Sequence, residues 1–327
     1  MLAFVLRRLG QAVLVMLAVG LIAFALFHFV GDPVVFMLGQ DATPAQRAEM
    51  SRALGLDQPF WVQYAHFVGR AMEGNFGLSL HQLRPVSTLF LERLPATLEL
   101  SLVAALLALL VGIPMGVYSA LRRDAWLAHL FQAVSLIGVS LPTFLIGILL
   151  ILLFAVVLGW LPSFGRGETV NIGWWSTGLL TASGLKALIL PSVTLGLYQM
   201  TLIQRLVRSE MLEVLRTDYV KFARARGLTD RAVHFGHALK NTLVPVITIT
   251  GLQLGAIIAF AIITETVFQW PGMGLLFIQS VAVADIPVMA AYLCLIALFF
   301  VIINLVVDLL YYAVDPRLRV ERLATAH

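Results

Sequence analysis

Charge is what this chain most lacks. Only 12% of its 327 residues are Asp, Glu, Lys or Arg, against about a quarter in an average globular domain, which argues against an ordinary soluble protein. Cysteine is nearly absent too. Cys294 stands alone inside an apolar run, so a disulfide framework is excluded and the thiol reads as a small buried hydrophobe. No G-x-x-x-x-G-K-[ST] phosphate loop occurs, so any nucleotide-driven work needs an ATPase from elsewhere. No His/Cys/Asp group has metal-ligand spacing and no nucleophile–base pair stands out. The chain reads as a non-catalytic protein with no cofactor of its own.

What is present is apolar. Hydrophobic residues make up 60%, and mean hydropathy is +0.93. A bilayer core of about 30 Å takes about 20 apolar residues as helix. Six segments meet that length: Leu9–Gly31, Leu100–Leu121, Val134–Leu158, Ala187–Gln204, Asn241–Thr264 and Ile286–Val307. One charge at a helix centre costs about 2.5–3.5 kcal/mol on insertion scales, so six such runs specify membrane spans. Arg7 and Arg8 precede the first run, but the run is too long for a signal peptide and lacks a small-residue cleavage site after it. It reads as a retained signal-anchor.

The cations orient the spans. With the N-terminus inside, the inner segments hold Arg7, Arg8, Arg122, Arg123, eight Lys/Arg within 205–240, and Arg317, Arg319 and Arg322. These are fifteen of the 22 Lys/Arg, and they place both termini in the cytoplasm by the positive-inside rule. The net charge of +4 therefore speaks for a lipid bilayer and not for nucleic acid.

Residues 1–31 read as an N-terminal transmembrane helix and 32–97 as an extracytoplasmic region with amphipathic helices. Residues 98–315 form a five-helix core with a cytoplasmic loop at 205–241, and 316–327 a cytoplasmic tail. In the outer region Thr43 followed by Pro44 is a helix start and Gly55 a helix stop. Phe60, Tyr64, Phe67 and Val68 fall on one helical face. The loop 159–186 carries Trp174 and Trp175, which suit an interface belt.

The loop 205–240 is the most informative stretch, with eight Lys/Arg against four Asp/Glu between two apolar spans. Asp218–Arg226 is helix-compatible, with Tyr219, Val220, Phe222 and Ala223 toward one side and Lys221 and Arg224 among the polar positions. Gly227 sits where a helix C′ residue takes positive φ. Thr229 caps a second helix, with Asp230 near its positive end, running to about Lys240–Asn241. Such an elbow either packs on the chain's own helix ends or enters a groove on a soluble partner.

Tyr219–Ile247, YVKFARARGLTDRAVHFGHALKNTLVPVI, resembles the coupling loop of binding-protein-dependent ABC importer permeases, named for its EAA…G pattern. More narrowly it resembles the first-permease branch of the dipeptide/oligopeptide/nickel permease family. FVLRRLGQ at the N-terminus, GDP at 31–33, GNFGLSL at 74–80, RPV at 84–86, RLPATLEL at 93–100, ETVFQWPGMG at 265–274 and NLVVDLLYYAVDPRLR at 304–319 carry the likeness along the whole chain. Two departures stand out. Lys221 and Phe222 replace the Glu and first Ala of the signature, leaving Ala223 and Gly227. ADIPVM at 284–289 stands where many relatives have Arg-Asp-Tyr-Pro.

The resemblance implies an all-α polytopic membrane protein with six transmembrane helices, the type I ABC importer permease fold. It implies a second homologous permease, two cytoplasmic ATPases that bind the ATP, and an extracytoplasmic solute-binding protein. Asp218, Tyr219, Lys221, Phe222, Ala223, Arg224, Ala225, Gly227 and Leu228 would meet an ATPase. The implied cargo is di- or oligopeptide, with nickel, glutathione or another small solute as alternatives. Glu265, Gln253, Asn304 and Asp308 are candidates for the translocation path or gate, because polar groups within spans are functional candidates. Gln199 and Gln204 either line that path or bond between helices, and His28 reads as a packing or interfacial residue. An ion-coupled secondary transporter is the rival, but it leaves the elbow without a purpose.

Overall fold

The computed structural model describes residues 2–30, 34, 38, 43–53 and 55–314. It is predominantly helical. The helices are α1 (Leu2–Val30), α2 (Pro44–Ala53), α3 (Phe60–Met72), α4 (Val86–Leu121), α5 (Trp126–Ser140), α6 (Thr143–Leu150), α7 (Ala182–Val214), α8 (Asp218–Ala225), α9 (Leu239–Val267), α10 (Met273–Ala282) and α11 (Ile286–Val314). Two π-helical segments, Ile151–Val157 and Ala232–Ala238, and one hairpin of β1 (Val170–Ile172) and β2 (Trp175–Thr177) complete the described elements. The tail 316–327 and the segment 31–33 lie outside the described residues.

Four described helices are long and apolar enough to cross a membrane: Leu6–Leu26, Val86–Leu121, Ala182–Val214 and Ile286–Leu309. The third apolar run is not straight. Trp126–Ser140 and Thr143–Val157 meet at a 116° bend, so Val134–Leu158 is a broken span or a re-entrant pair. Pro142 is the cause: it holds Leu141 extended at φ −95, ψ 139, as a residue before proline prefers. In α9 the described apolar stretch is Gly255–Val267.

The chain divides into two compact units. The first comprises Met1–Ala96, Asn171–Ser176 and Pro271–Val301. Its core joins α1, α3 and α11 through Ala23, Phe24, Phe67, Ala290 and the buried Cys294, with Phe60, Tyr64 and Val68 packed beside them. The Tyr64 hydroxyl donates to the Leu17 carbonyl at 2.6 Å, and partial burial pushes its pKa up. His28 packs within the same aromatic group, 5.5 Å from the Phe60 ring. Ahead of it, the Thr43 hydroxyl accepts from the Gln46 amide at 3.4 Å. The Gln46 side chain accepts in return from the Thr43 amide at 3.0 Å, a reciprocal cap that opens α2.

The second unit comprises Thr97–Val170, Thr177–Trp270 and Ile302–His327. Its core places Ala108 and Met115 of α4 against Met200, Ile203, Val207 and Met211 of α7. Gly112 and Gly116 make that approach possible. A Cβ on Gly112 would lie 2.9 Å from the Met200 carbonyl oxygen, and one on Gly116 2.7 Å from Val207 Cβ. This is the small-residue contact by which helices associate in lipid, where burying apolar surface gains nothing.

Candidate functional site

The polar stretch 205–240 is mostly helix. α7 runs on from Gln204 to Val214, since 205–226 holds neither Gly nor Pro. Beyond the turn, helix begins at Asp230 and continues through the π segment into α9 as far as Val267. The expected end of a second elbow helix near Lys240–Asn241 is therefore absent, and the elbow is built on extensions of the spans. Pro245 is carried inside α9.

Between these extensions α8 turns on Gly227, whose φ is +80. The Gly227 amide donates to the Arg224 carbonyl at 2.9 Å and the Leu228 amide to the Ala223 carbonyl at 3.4 Å. These are the two bonds of a Schellman cap, and glycine supplies the left-handed residue without Cβ strain. After the turn the Ala232 amide reaches the Thr229 hydroxyl at 3.4 Å.

The apolar residues of α8 split between two faces. Val220 and Ala223 are buried on Val233, with Val214 and Leu215 of the α7 end packed against them. Tyr219 and Phe222 turn outward, and Phe222 is 64% exposed. Arg226 lies over the Phe222 ring at 5.8 Å, and Leu228 is also exposed. Lys221 pairs with Asp218 at 2.8 Å and Arg224 with Asp230 at 3.9 Å, while Ala225 is exposed. The Asn241 side-chain amide donates to the Tyr219 hydroxyl at 2.7 Å. The nine residues singled out at the elbow thus form one small helical corner with an aromatic, cationic outer face.

The other candidates are spread over the second unit. Gln253 of α9 accepts through its carbonyl from the Gln199 side chain at 3.4 Å, and the Gln204 amide reaches Ser119 at 3.5 Å. Asn304 and Asp308 are half-buried, one turn apart on α11. Glu265, fully buried in the last turn of α9, accepts from the Thr97 hydroxyl at 2.6 Å.

Beside it is a charge pair that hydropathy alone passes over. The Arg166 guanidinium donates to Glu99 at 2.5 Å, and both side chains are buried. Arg166 also lies 5.9 Å from the Trp270 ring. The Gly178 amide donates to the same Glu99 oxygen at 3.4 Å. Glu99 stands one residue outside the apolar run Leu100–Leu121, and its burial in α4 adds it to the acids that border the spans. Among the described residues no group of three or more His, Cys, Asp or Glu could hold a metal ion.

Residues 112–320 match the family described as binding-protein-dependent transport system inner membrane component, and residues 1–101 its N-terminal part. The chain is 42% identical to the di/tripeptide transport system permease protein of Pseudomonas aeruginosa, over 98% of this chain and all of the relative. It is 38% identical to the dipeptide transport system permease proteins of Alkalihalophilus pseudofirmus and Escherichia coli, over 98% of this chain and 100% and 99% of theirs. Inward-facing structures of the MetNI methionine ABC transporter match at a TM-score of 0.55 and 20% identity, covering 69% of this chain and 96% of that one. That likeness shows a shared fold.

Proposed function

Because the chain belongs to the binding-protein-dependent transport system inner membrane components, we propose that it is the permease subunit of an ATP-driven importer of di- and oligopeptides. It is an inner-membrane protein, and its relatives over the full length are dipeptide and di/tripeptide permeases. In this reading the chain has six spans with both termini cytoplasmic. It pairs with a second homologous permease, and an extracytoplasmic solute-binding protein delivers the cargo. The chain hydrolyses nothing itself; two cytoplasmic ATPase subunits bind the ATP.

One observation carries the coupling role. α7 has 33 residues, about 50 Å at 1.5 Å per residue, where a bilayer core takes about 30 Å. The excess holds the elbow clear of lipid, where the outward Phe222, Tyr219 and Arg226 need another surface to cover them. A groove on a soluble ATPase supplies it. Closure of the two ATPases on ATP would move α8, and α8 would move the helices it is built on. Glu265, Gln253, Asn304 and Asp308 remain the path and gate candidates.

The test is uptake of labelled dialanine by cells carrying the chain with its partners. Purification of a tagged copy in mild detergent should recover a second permease and ATPase subunits. Gly227→Asp adds charge and a Cβ at positive φ, and should abolish uptake while the protein remains in the membrane. Full uptake by that variant, or a wild-type chain that moves solute in liposomes without ATP, would remove the coupling role and favour the secondary transporter.

A further inference from the structure

A lever is only as good as its attachment, and α8 hangs on a glycine turn. Two contacts fix it near that pivot, Arg224 with Asp230 at 3.9 Å and Arg224 with His234 at 3.4 Å, while Val220 and Ala223 pack on Val233 along the length of the helix. The Tyr219–Asn241 bond at 2.7 Å is different. Tyr219 lies eight residues before Gly227, about 12 Å along the helix, so its bond adds a directed polar constraint to the apolar packing of the neighbouring Val220 at the end of α8 away from the turn. It also lies next to the α7–α8 corner. In the adjoining position the Thr242 hydroxyl reaches the Met211 sulfur at 3.5 Å, joining α9 to α7 at the same level.

The π segment Ala232–Ala238 makes this bond possible. In a regular α-helix Val233 and Asn241, eight residues apart, point about 80° away from each other at about 100° per residue. A π-turn closes i→i+5 and absorbs one extra residue, which brings Asn241 within about 20° of Val233, on the face that meets α8.

We propose that Tyr219 and Asn241 are positioning residues that tie the coupling helix to the root of α9, so that displacement of α8 is delivered to the spans and is not lost in rotation about Gly227. The inference rests on the coupling role proposed above. Asn241 stands on α9 and not on α8, so its replacement leaves every side chain of the coupling helix in place.

The experiment uses the whole complex in proteoliposomes, with labelled dialanine as the probe. Recovery of ATPase subunits with the wild-type chain checks the coupling role itself. Against that reference, Asn241→Leu should bind ATPase subunits at the wild-type level and still hydrolyse ATP. Dialanine moved per ATP should fall about three- to tenfold, the range for losing one hydrogen bond. Tyr219→Phe should lower the same ratio, and the double variant should be no worse than the lower single, as for two ends of one contact. An unchanged ratio in Asn241→Leu, independent losses that multiply in the double variant, or loss of the ATPase subunits would overturn the tie.

Discussion

At the elbow the chain closes a helix with a glycine; at the C-terminal end of α9 it closes one with a glutamine. The hydrogen bonds are of the same kind. Gln269 takes φ +47, its amide donates to the Thr266 carbonyl at 3.4 Å, and the Trp270 amide donates to Glu265 at 2.8 Å. A left-handed residue with a Cβ costs about 1–2 kcal/mol that glycine avoids. What holds Gln269 there is its surroundings: Phe268 and Trp270 are each 1% exposed, and its own side-chain amide bonds the Thr266 carbonyl at 2.9 Å. The elbow has few buried contacts and an unstrained cap, so it can move as one small piece. The other end has strain, buried charge and buried aromatics together, and it is set in one arrangement.

The largest test of that contrast is Arg166→Leu. Removing the guanidinium leaves the Glu99 carboxylate buried, with the Gly178 amide still donating to it at 3.4 Å. Breaking one side of a buried pair costs about 3–5 kcal/mol, so the variant should lose thermal stability sharply in detergent. Glu99→Gln added to it should recover most of the loss, because the buried charge is gone. An Arg166→Leu protein as stable as the parent would mean that this end is no more fixed than the elbow.

The contrast was legible in the sequence only in part. Gly227 could be read because a left-handed cap is local chemistry, visible in the residues beside it. The face of Phe60, Tyr64, Phe67 and Val68 was likewise visible as period. Hydropathy does not reveal the lengths of α7 and α9, since their polar extensions carry no apolar signal; for α7 alone the absence of Gly and Pro from 205–226 is the available clue. Hydropathy also ran straight through Leu141–Pro142, although Pro142 marked the break. Glu99 and Arg166 are 67 residues apart, and no local pattern joins them. Tyr219 and Asn241 meet only after a π register that nothing in the composition announces.

Gln269→Gly is a test of intermediate size. It removes the left-handed penalty but also the amide bond to Thr266 and some order gained from the unfolded chain. A net gain of at most about 1 kcal/mol in thermal stability is expected. A clear loss would show that the side-chain bond, and not the buried aromatics, fixes the turn.

The smallest effect belongs at the elbow. Lys221 and Asp218 pair at 2.8 Å with side chains 68% and 97% exposed, one helical turn apart. Water screens such a pair, and holding two long side chains together costs entropy, so exposed helix pairs contribute about 0.3–0.5 kcal/mol. Lys221→Ala should therefore leave thermal stability within about 0.5 kcal/mol of the parent, a change near the limit of measurement. Its value lies in what else it reads. Lys221 stands at the position where the family signature has Glu, on a helix whose outward face is aromatic and cationic. If the charge serves the fold of the elbow, stability and uptake fall together. If it serves the surface that meets a partner, stability holds while recovery of ATPase subunits falls below the parent's at low salt, and the difference closes as salt is raised, since contacts between exposed charges weaken once the screening length falls below about 10 Å. The second result is expected, because the burial that fixes α8 comes from Val220, Ala223 and Val233, with Lys221 outside it.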